Sequence, residues 1–463
     1  QRQMCIRDSS YHGIWAHWIN GQNGETISFS RKDDGADLVE SAFMFEGLLA
    51  AHQYFNKDNQ VERRIRGLIN DLWRQAEWNW FTKGGEDVLY WHWSPNNGWS
   101  MNHQIKGHNE CHITYILAAS SPTYPIAESV YHKGWANSIV FKNGKKYYDI
   151  TLPLGSDYGG PLFFTHYSYM GLDPRGLKDY YADYEEQMKA HTLINRAYCI
   201  DNPKGYKGYG EQCWGLTASD GDKGYSAHCP GNDRGVITPT AALSSIPYAP
   251  EYSLQAMRYF YEELGDKLWG EYGFKDAFNL TADWFAPSYL AIDQGPIIVM
   301  IENYRTGLIW KLFMSHPDVQ KGLKKLGFKT PYLNKKGFII MKNMFFNSVL
   351  VAFVLLVASC SKQPEAKVDV MSFNIRLDHV ADSLNNWKYR KDAAAQMIIY
   401  YAPDVVGMQE VLKNQLDDLK NRLPQYTVLG VGRADGKEKG EYCSLFYKLS
   451  LIHISEPTRL QLI

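Results

Sequence analysis

Between residues 10 and 336, apolar residues recur at the three- and four-residue spacing of helices. In the stretch after Asp37, this spacing runs from Leu38 to Leu49, and Asp37 stands where an N-cap is expected. The pattern predicts helices over residues 38–49, 61–80, 109–119, 177–190, 252–264 and 296–312. Residues 138–141 and 146–150 are predicted to form a hairpin over Asn143-Gly144. Helices joined by long loops predict a mainly α fold, an α/α barrel whose loops at one end build the site.

The pattern changes between residues 337 and 367. Lysines at 335, 336 and 342 precede an apolar run from Phe345 to Val357, and Ala358-Ser359-Cys360 follows. This order is typical of a secretory signal, and the run is shorter than the roughly 20 residues of a membrane-spanning helix. It resembles a bacterial lipoprotein signal with Cys360 as the lipidated residue. Because a signal leads its protein, we expect two proteins joined in one frame, exported to the periplasm or the cell surface, with Cys360 as the second protein's one membrane contact.

A third pattern covers residues 368–448. Two apolar strand-like runs, at 368–376 and 403–410, flank a predicted helix over 390–401, and each run ends in a polar residue. Strand, helix and strand predict part of an α/β sandwich with a site at the strand ends. The terminal segments 1–9 and 449–463 fit neither neighbouring pattern. Both resemble translated sequencing-adapter sequence, and we treat them as artefactual and without function.

Composition narrows the class of function. The chain has 49 basic and 50 acidic residues, which gives no electrostatic reason to expect nucleic-acid binding. Aromatic residues are abundant, with 32 Tyr, 20 Phe and 14 Trp. Aromatic rings suit sugar binding because axial C–H groups pack on their faces, but most are also good core residues.

Several separated motifs carry a family resemblance. They are Asp37-Leu-Val-Glu40 with Gly47-Leu-Leu, the run from Tyr209 to Asp220, the run from Pro239 to Pro250, and Ile292-Asp-Gln-Gly-Pro296 with Ile301-Glu-Asn-Tyr-Arg305. Together they resemble the glycoamylase-like family, whose bacterial members include endo-β-1,2-glucanases on an (α/α)6 barrel. The resemblance implies a glycoside hydrolase acting on a glucan. Family members have further N-terminal helices, so we expect residues 10–336 to form an N-terminally incomplete barrel, and this copy to be of low stability and activity.

Hydrolysis of a glycosidic bond needs two carboxyl groups, one to protonate the leaving oxygen and one to activate water or attack the sugar. Asp37 and Glu40 are three residues apart, hence on one face of a helix start, and Glu110 is predicted to begin the third helix. The resemblance places Asp37, Glu40 and Glu110 in the cleft. We assign Glu110 as the general acid and Asp37 or Glu40 as the group that orders water, and no cofactor is needed. The alternative is that these acids only offset helix macrodipoles.

A second set of residues is predicted to bind substrate. Glu211 lies in a Gly-rich loop beside Trp214, a candidate sugar platform, and Asp220 closes the same motif. Asp293 precedes Gln294-Gly295-Pro296 and is a candidate N-cap. Glu302 and Arg305 are substrate-binding candidates, and their three-residue spacing favours a salt bridge.

A metal site is the rival interpretation of the Glu110 region. His108 and His112 stand at i and i+4, a spacing at which a helix can hold zinc, with His103 nearby. Glu110 is not placed as in the H-E-x-x-H motif, and no third ligand is evident. If zinc were bound there, Glu110 would be a metalloprotease-type base.

The segment 368–448 resembles the endonuclease/exonuclease/phosphatase family. Asn374 matches its site asparagine and Glu410 its magnesium-binding glutamate, and the run from Gly432 to Tyr442 is also similar. An intact domain would hold Mg²⁺ through such oxygen ligands. The family's later Asp-x-Asn and Asp-His motifs are absent from this truncated fragment, so we predict no phosphoesterase activity.

The favoured activity of the chain is thus hydrolysis of a β-glucan, with endo-β-1,2-glucanase first. A carbohydrate-binding protein without catalysis, and a transglycosylase or phosphorylase, are the alternatives.

Overall fold

A computed structural model describes residues 10–139, 141–333, 369–379, 382 and 385–448. The chain divides into two compact units, residues 1–351 and 352–463. The signal-like segment with Cys360 and the terminal segments 1–9 and 449–463 lie outside the described residues. Among those described, no helix is both long enough and apolar enough to cross a bilayer.

The first unit is mainly helical. Its α-helices of five residues or more are Leu38–Tyr54, Gln60–Gln75, His112–Ser120, Tyr184–Asp201, Pro239–Leu243, Pro250–Glu262, Ala291–Arg305, Leu308–Met314 and Pro317–Lys325. Shorter helical turns include Trp78–Thr82, Tyr131–Trp135, Leu162–Thr165 and Tyr167–Tyr169. Two-residue strands pair as Ser10–Tyr11 with Ile14–Trp15, Trp18–Ile19 with Thr26–Ile27, Ala36–Asp37 with His92–Trp93, Lys146–Tyr147 with Ile150–Thr151, Ala218–Ser219 with Ser226–Ala227, Trp269–Gly270 with Gly273–Phe274, and Phe278–Asn279 with Trp284–Phe285.

The first long helix begins as its sequence predicts. Asp37 is the N-cap, and its side chain accepts hydrogen bonds from the backbone N–H groups of Val39 and Glu40. This satisfies two of the four N–H groups that a helix start leaves unpaired. The helix runs on from the predicted 38–49 to Tyr54, with Phe45 and Leu49 buried in the core.

Two predicted helices differ in their bounds. The helix predicted at 177–190 is Tyr184–Asp201, because Asp183 caps it by accepting from the N–H groups of Glu185 and Glu186. The helix predicted at 296–312 is two helices, Ala291–Arg305 and Leu308–Met314. They are separated at Gly307, whose φ of 66° lies in the left-handed region that ends helices.

The predicted hairpin is also displaced. Lys146–Tyr147 pairs with Ile150–Thr151, not with residues 138–141. Tyr148 and Asp149, both at positive φ, form its turn, as two-residue hairpin loops require. Asn143 and Gly144 do not form the turn. Their backbone N–H groups donate hydrogen bonds to the carbonyls of Pro153 and Leu152.

The His112–Ser120 helix is the buried centre of the first unit, with all nine residues inaccessible. It contacts the Leu38–Tyr54 and Pro317–Lys325 helices. A Cβ on Gly322 would lie 1.9 Å from Ser120 Oγ, so glycine permits the close approach of the last of these helices. A second core cluster, around Trp214 and Phe260, lies under the loops of residues 209–278.

The second unit is a four-stranded sheet with two helices. The strand order is Val370–Asn374, Val405–Val411, Tyr442–Lys448, Tyr426–Leu429. The first pair is parallel and the other two are antiparallel. The Trp387–Tyr401 and Lys413–Arg422 helices bury Trp387, Ile398 and Leu419 against it.

Candidate active site

Asp37 is the anchor of the first acidic group. It is fully buried. Its Oδ1 accepts from the N–H groups of Val39 (3.1 Å) and Glu40 (3.0 Å) and from Trp91 Nε1 (3.0 Å). Its Oδ2 lies 2.8 Å from His17 Nδ1. Because donors surround both oxygens, the Asp37 side chain is held in one position.

Glu40 projects from the first turn of the same helix and is partly buried. Burial and then the charge of Asp37 raise the pKa of its carboxyl to about 7, against the opposing effect of His17. A carboxyl with a pKa near neutrality can exchange a proton at physiological pH, which an ordinary surface glutamate does not.

Glu110 lies in the turn before the His112–Ser120 helix and not on the helix itself. The helix starts two residues after Glu110, which was predicted to begin it. Its backbone carbonyl accepts a hydrogen bond from Ser168 Oγ, which also accepts from Ile113 N–H at 3.0 Å. Burial raises the pKa of the Glu110 carboxyl to about 7, and the charges of Glu40 and Asp37 add to the rise. The structure therefore brings the three predicted acids into one electrostatic neighbourhood.

No pattern in the sequence marks the groups that surround Asp37. His17 and Asp33 lie outside the strands, and His92 pairs with Asp37 across the two-residue sheet. His92 Nδ1 lies 3.1 Å from Asp33 Oδ2 and 3.9 Å from Asp37 Oδ2. Burial lowers the pKa of His17, but its hydrogen bond to Asp37 and the nearby acidic charges outweigh burial, and the net shift is upward. A protonated His17 offsets part of the negative charge.

Asp33, Asp37 and His92 are also the one group of three among the described residues whose ligand atoms lie within 4.8 Å of one another. These residues could hold a cation. Asp37 Oδ2 already has His17 as a partner, whereas Asp33 Oδ2 and His92 Nδ1, 3.1 Å apart, are buried and make no hydrogen bond with the described residues.

A second acidic group joins Asp220, Asp276 and Asp293. The backbone N–H of Asp220 donates to Asp276 Oδ2 at 2.8 Å, and Ser288 Oγ donates to Asp220 Oδ2. Asp293 is 1% exposed, and the carboxyl of Asp276 is the partner of its carboxyl. Two carboxyls can share a hydrogen bond when one is protonated. Burial raises the pKa of Asp293 to about 9, and the charge of Asp276 contributes.

Asp293 is not the N-cap. The helix starts at Ala291 with Leu290 as N-cap, so Asp293 lies inside the first turn. Sequence reasoning missed Asp276 and Ser288 altogether, since no local motif marks them. Both approach through the loops that follow the Trp269–Gly270 hairpin.

The pKa values of two tyrosines are influenced by charges from both acidic groups. Tyr167 is buried, and its pKa is raised first by burial and then by the charges of Asp293, Glu40 and Glu110, with Tyr225 nearby. Burial raises the pKa of Tyr225 to about 12, and Asp293, Asp276, Asp220 and Glu40 contribute. Both phenols therefore lie within electrostatic reach of both acidic groups.

The remaining predicted substrate residues lie elsewhere. Trp214 is fully buried in the second core cluster, so its ring has no face to offer a sugar, and Glu211 is exposed beside it. Glu302 and Arg305 form the salt bridge that their spacing favours, at 3.1 Å. They lie at the far end of the helix from Asp293, about 14 Å along its axis.

The zinc alternative does not fit the contacts of its histidines. His112 Nδ1 lies 3.0 Å from Tyr169 Oη and its Nε2 lies 3.2 Å from Tyr131 Oη, so both nitrogens have phenol partners. The ring stacks on Trp135 inside the core. His108 is buried, and burial lowers its pKa to about 3.

A groove of about 900 Å³ also opens on the first unit, lined by residues that include Trp80, Lys83, Trp99 and Tyr124. None of Asp37, Glu40 and Glu110 lines it. We therefore place the candidate site at the acidic groups and not at this groove.

In the second unit, Asn374 and Glu410 are brought together at neighbouring strand ends. Asn374 Nδ2 donates to Glu410 Oε1 at 2.9 Å, and Leu377 N–H donates to Oε2 at 3.1 Å. Glu410 has a φ of 58° at a bulge between Met408 and Val411, which turns its side chain toward Asn374. The hydrogen bond from Asn374 and then that from Leu377 lower its pKa, as suits a ligand for a hard cation such as Mg²⁺.

Comparison with known proteins agrees with this architecture. A family model described as "Putative glucoamylase" matches residues 102–317, and that of the "Endonuclease/Exonuclease/phosphatase family" matches residues 371–461. A crystal structure from Bacteroides uniformis, described in the same words as the first family, is 84% identical, with a TM-score of 0.71 over 72% of this chain and 81% of that one. An endo-β-1,2-glucanase from Chitinophaga pinensis, solved with sophorotriose and glucose, is 55% identical, with a TM-score of 0.69 over 71% of this chain and 80% of that one.

One curated relative has an exo-acting specificity in its name, unlike the endo-acting enzyme above. The exo β-1,2-glucooligosaccharide sophorohydrolase (non-reducing end) of Parabacteroides distasonis is 48% identical over 337 residues. The match covers 68% of this chain, and the chain spans 47% of that relative's length. On the identity and coverage of the two solved structures, the chain belongs to the glycoamylase-like family.

Proposed function

We propose that residues 10–336 act as a glycoside hydrolase on a β-glucan, with endo-β-1,2-glucanase as the activity. The observation that carries the proposal is the pair of buried carboxyls, Glu40 and Glu110, both with a pKa raised to about 7 and both influenced by Asp37. The relatives that hydrolyse β-1,2-glucans support the substrate class.

The electrostatics suggest how the two carboxyls divide the work. The negative charge of Glu40 raises the pKa of Glu110, so Glu110 holds its proton once Glu40 has ionised. Near neutral pH this gives one protonated and one ionised carboxyl, which is the combination that hydrolysis needs. Glu110 then protonates the glycosidic oxygen, and Glu40 orders and deprotonates the water. Asp37, with donors on both oxygens, positions Glu40 and keeps the pKa of both glutamates high.

The proposed fold around this site is an (α/α)6 barrel. Its support is the order of helices joined by long loops along the first unit. The acidic groups come from the loops and helix starts, as expected of a site at one end of such a barrel. The proton transfers need no cofactor, because carboxyl groups perform them.

For the second unit, we propose an α/β sandwich fragment with an incomplete Mg²⁺ site at Asn374 and Glu410. For the whole chain, we propose export to the periplasm or cell surface, with lipidation at Cys360 for the second protein. The signal-like segment in the sequence supports both.

The direct test incubates the full chain with linear β-1,2-, β-1,3- and β-1,4-glucans and measures new reducing ends. We expect products from the β-1,2-glucan, with mixed oligosaccharide sizes from the start if cleavage is endo. Release of a disaccharide alone would mark exo action. A folded protein that binds glucan but releases no reducing ends would support the carbohydrate-binding alternative. Phosphate-dependent product formation would indicate a phosphorylase.

A further inference from the structure

A two-stranded hairpin beside Asp37 carries a pair of exposed aromatic rings. Trp18 lies on the Trp18–Ile19 strand, and Phe29 follows the Thr26–Ile27 strand. Trp18 is 50% exposed and Phe29 is 49% exposed. Their ring centroids are 5.0 Å apart with the rings tilted by 60°. Each ring leaves about half of its apolar surface in contact with water in spite of the contact between them. A patch of exposed aromatic surface of this kind often marks a binding site.

The hairpin is held firmly in place. Asn20 N–H donates to the carbonyl of Glu25 across the loop, and Gln22 N–H donates to Asn20 Oδ1. Tyr11 Oη lies 2.9 Å from Thr26 Oγ1 and ties the hairpin to the preceding strand pair. The aromatic pair is therefore a preformed surface, which lowers the entropy cost of binding to it.

The pair is continuous with the acidic site. The ring of His17 lies 4.2 Å from that of Phe29, centroid to centroid, and 5.7 Å from that of Trp18. The same histidine places its Nδ1 2.8 Å from Asp37 Oδ2. The chain then passes from Phe29 through a turn, in which Phe29 N–H donates to the carbonyl of Asp33, to Asp37 itself. One imidazole thus separates the exposed rings from the site carboxylate.

We propose that Trp18 and Phe29 form a subsite that binds a glucosyl unit of a long β-glucan chain, beyond the units next to the cleaved bond. The proposal rests on the proposed glucan-hydrolase function. A glucosyl ring in its chair form presents axial C–H groups to an aromatic face and its hydroxyls to the rim of that face. The polar loop 20–25 joins the two strands of the same hairpin. A substrate too short to reach the hairpin gains nothing from it, so the subsite selects chain length.

The test compares Trp18→Ala and Phe29→Ala in the full chain, with Trp269→Ala as the matched control. Trp269 is also a tryptophan on a two-residue hairpin strand, 46% exposed, and its ring contacts are Tyr261 and Phe274, neither of which belongs to the acidic groups. KM is measured for long linear β-1,2-glucan and for a β-1,2-linked trisaccharide. We expect KM for the long glucan to rise about three- to tenfold in each hairpin variant, with kcat and the trisaccharide KM unchanged. Trp269→Ala leaves all these values unchanged, and Trp18→Tyr restores most of the affinity.

Binding is measured separately, so that the subsite and the hydrolase activity are tested apart. Glucan affinity is determined by calorimetry on Glu110→Gln with and without Trp18→Ala, and a loss of about three- to tenfold on the second substitution supports the subsite even if no variant hydrolyses glucan. Equal KM and affinity for the long glucan in wild type and hairpin variants overturns it. So does a loss of the same size for both substrates, or a change in oligomeric state, because either would mean that the rings serve folding or a protein contact.

Discussion

Glu110 is the residue on which the proposed chemistry depends most directly. Its carboxyl is buried, has a pKa raised to about 7, and lies beside Glu40 and Asp37. Replacing Glu110 by Gln keeps the shape and removes the proton donor. We expect kcat to fall by at least about 100-fold, since general acid catalysis contributes roughly that much. The loss is measured as reducing-end release from β-1,2-glucan.

Glu302→Gln is the matched control for that substitution. Glu302 is a glutamate of the same unit, half-buried and paired with Arg305. We expect its activity to stay within about twofold of wild type and its stability to change by less than about 1 kcal/mol. A Glu110→Gln enzyme with wild-type kcat would show that another carboxyl is the acid.

The Asp276–Asp293 pair gives a prediction about stability. Burial and then the Asp276 charge raise the pKa of Asp293, to about 9. A carboxyl whose pKa is raised on folding destabilises the fold once the pH exceeds its unfolded pKa, near 3.9, and the loss grows until the pH reaches the folded pKa. Asp276→Asn removes the repulsion and still accepts from the Asp220 N–H. We expect it to stabilise the protein by about 1–3 kcal/mol at pH 8 and to have little effect at pH 4.

Urea unfolding of Asp276→Asn at both pH values measures this difference. Asp283→Asn is the control, because Asp283 is an exposed partner of Lys267 whose pKa is lowered by that contact. We expect no gain from it at pH 8. Destabilisation by Asp276→Asn at pH 8 would contradict the hypothesis that the carboxyls of Asp276 and Asp293 repel each other.

Some residues of the candidate site can be predicted from the sequence, and others cannot. Asp37 and Glu40 were predictable because a helix start and a three-residue spacing place them on one face. His17, His92 and Asp276 were not, because loops distant in sequence bring them to the acids. Trp214 shows the opposite error: a tryptophan in a Gly-rich loop resembled a sugar platform, and the fold uses it as core.

Among the elements, the break at Gly307 separates two helices that an uninterrupted apolar pattern would join. Its φ of 66° is costly for any residue with a Cβ, and the atoms nearest a new Cβ are the flexible ends of Arg175 and Lys311. The cost of Gly307→Ala is therefore mainly conformational, and we expect destabilisation by about 1 kcal/mol. Thermal and urea unfolding measure it.

Gly67→Ala is the opposite control. Gly67 lies inside the Gln60–Gln75 helix, and a Cβ there meets nothing within 4 Å. Because alanine is the better helix former, we expect stabilisation by about 0.5–1 kcal/mol. Two Gly→Ala substitutions of the same sign would contradict the conformational explanation.

Helix existence was easier to predict than helix extent. The 38–49 prediction succeeded because capping and apolar spacing agree at Asp37. The 177–190 prediction started too early, since Asp183 supplies a stronger cap than any residue near 177. The hairpin prediction chose Asn143-Gly144, a common turn pair, but the structure turns at Tyr148-Asp149, where tertiary contacts of the flanking loop decide.

Over the whole first unit, buried ionisable groups set how stability depends on pH. Buried histidines are kept neutral: burial lowers the pKa to about 3 for His108 and His166, and to about 4 for His191, His228 and His316. Since the unfolded histidines titrate near 6.5, each costs stability as the pH falls below that value. Buried acids act in the opposite direction: Glu40 and Glu110 have a pKa of about 7, and Asp293 of about 9.

Together these groups predict a stability maximum near pH 6.5. The pKa is also lowered for His52, His103 and His112 and raised for Glu46 and Asp276, which makes eight histidines and five acids among the described residues. Between pH 4.5 and 6.5, the histidines raise the stability as their unfolded states lose protons and the acids lower it, so the net slope is upward. Above pH 6.5 the histidines are neutral in both states and the acids alone act, so stability declines toward pH 9. We expect the free energy of unfolding to fall by a few kcal/mol on either side, measured by urea unfolding from pH 4.5 to 9. Asp293→Asn should flatten the alkaline side and steepen the rise between pH 4.5 and 6.5, because Asp293 opposes the histidines there. A wild-type stability that rises from pH 6.5 to 9 would mean that these carboxyls are not held protonated by the fold.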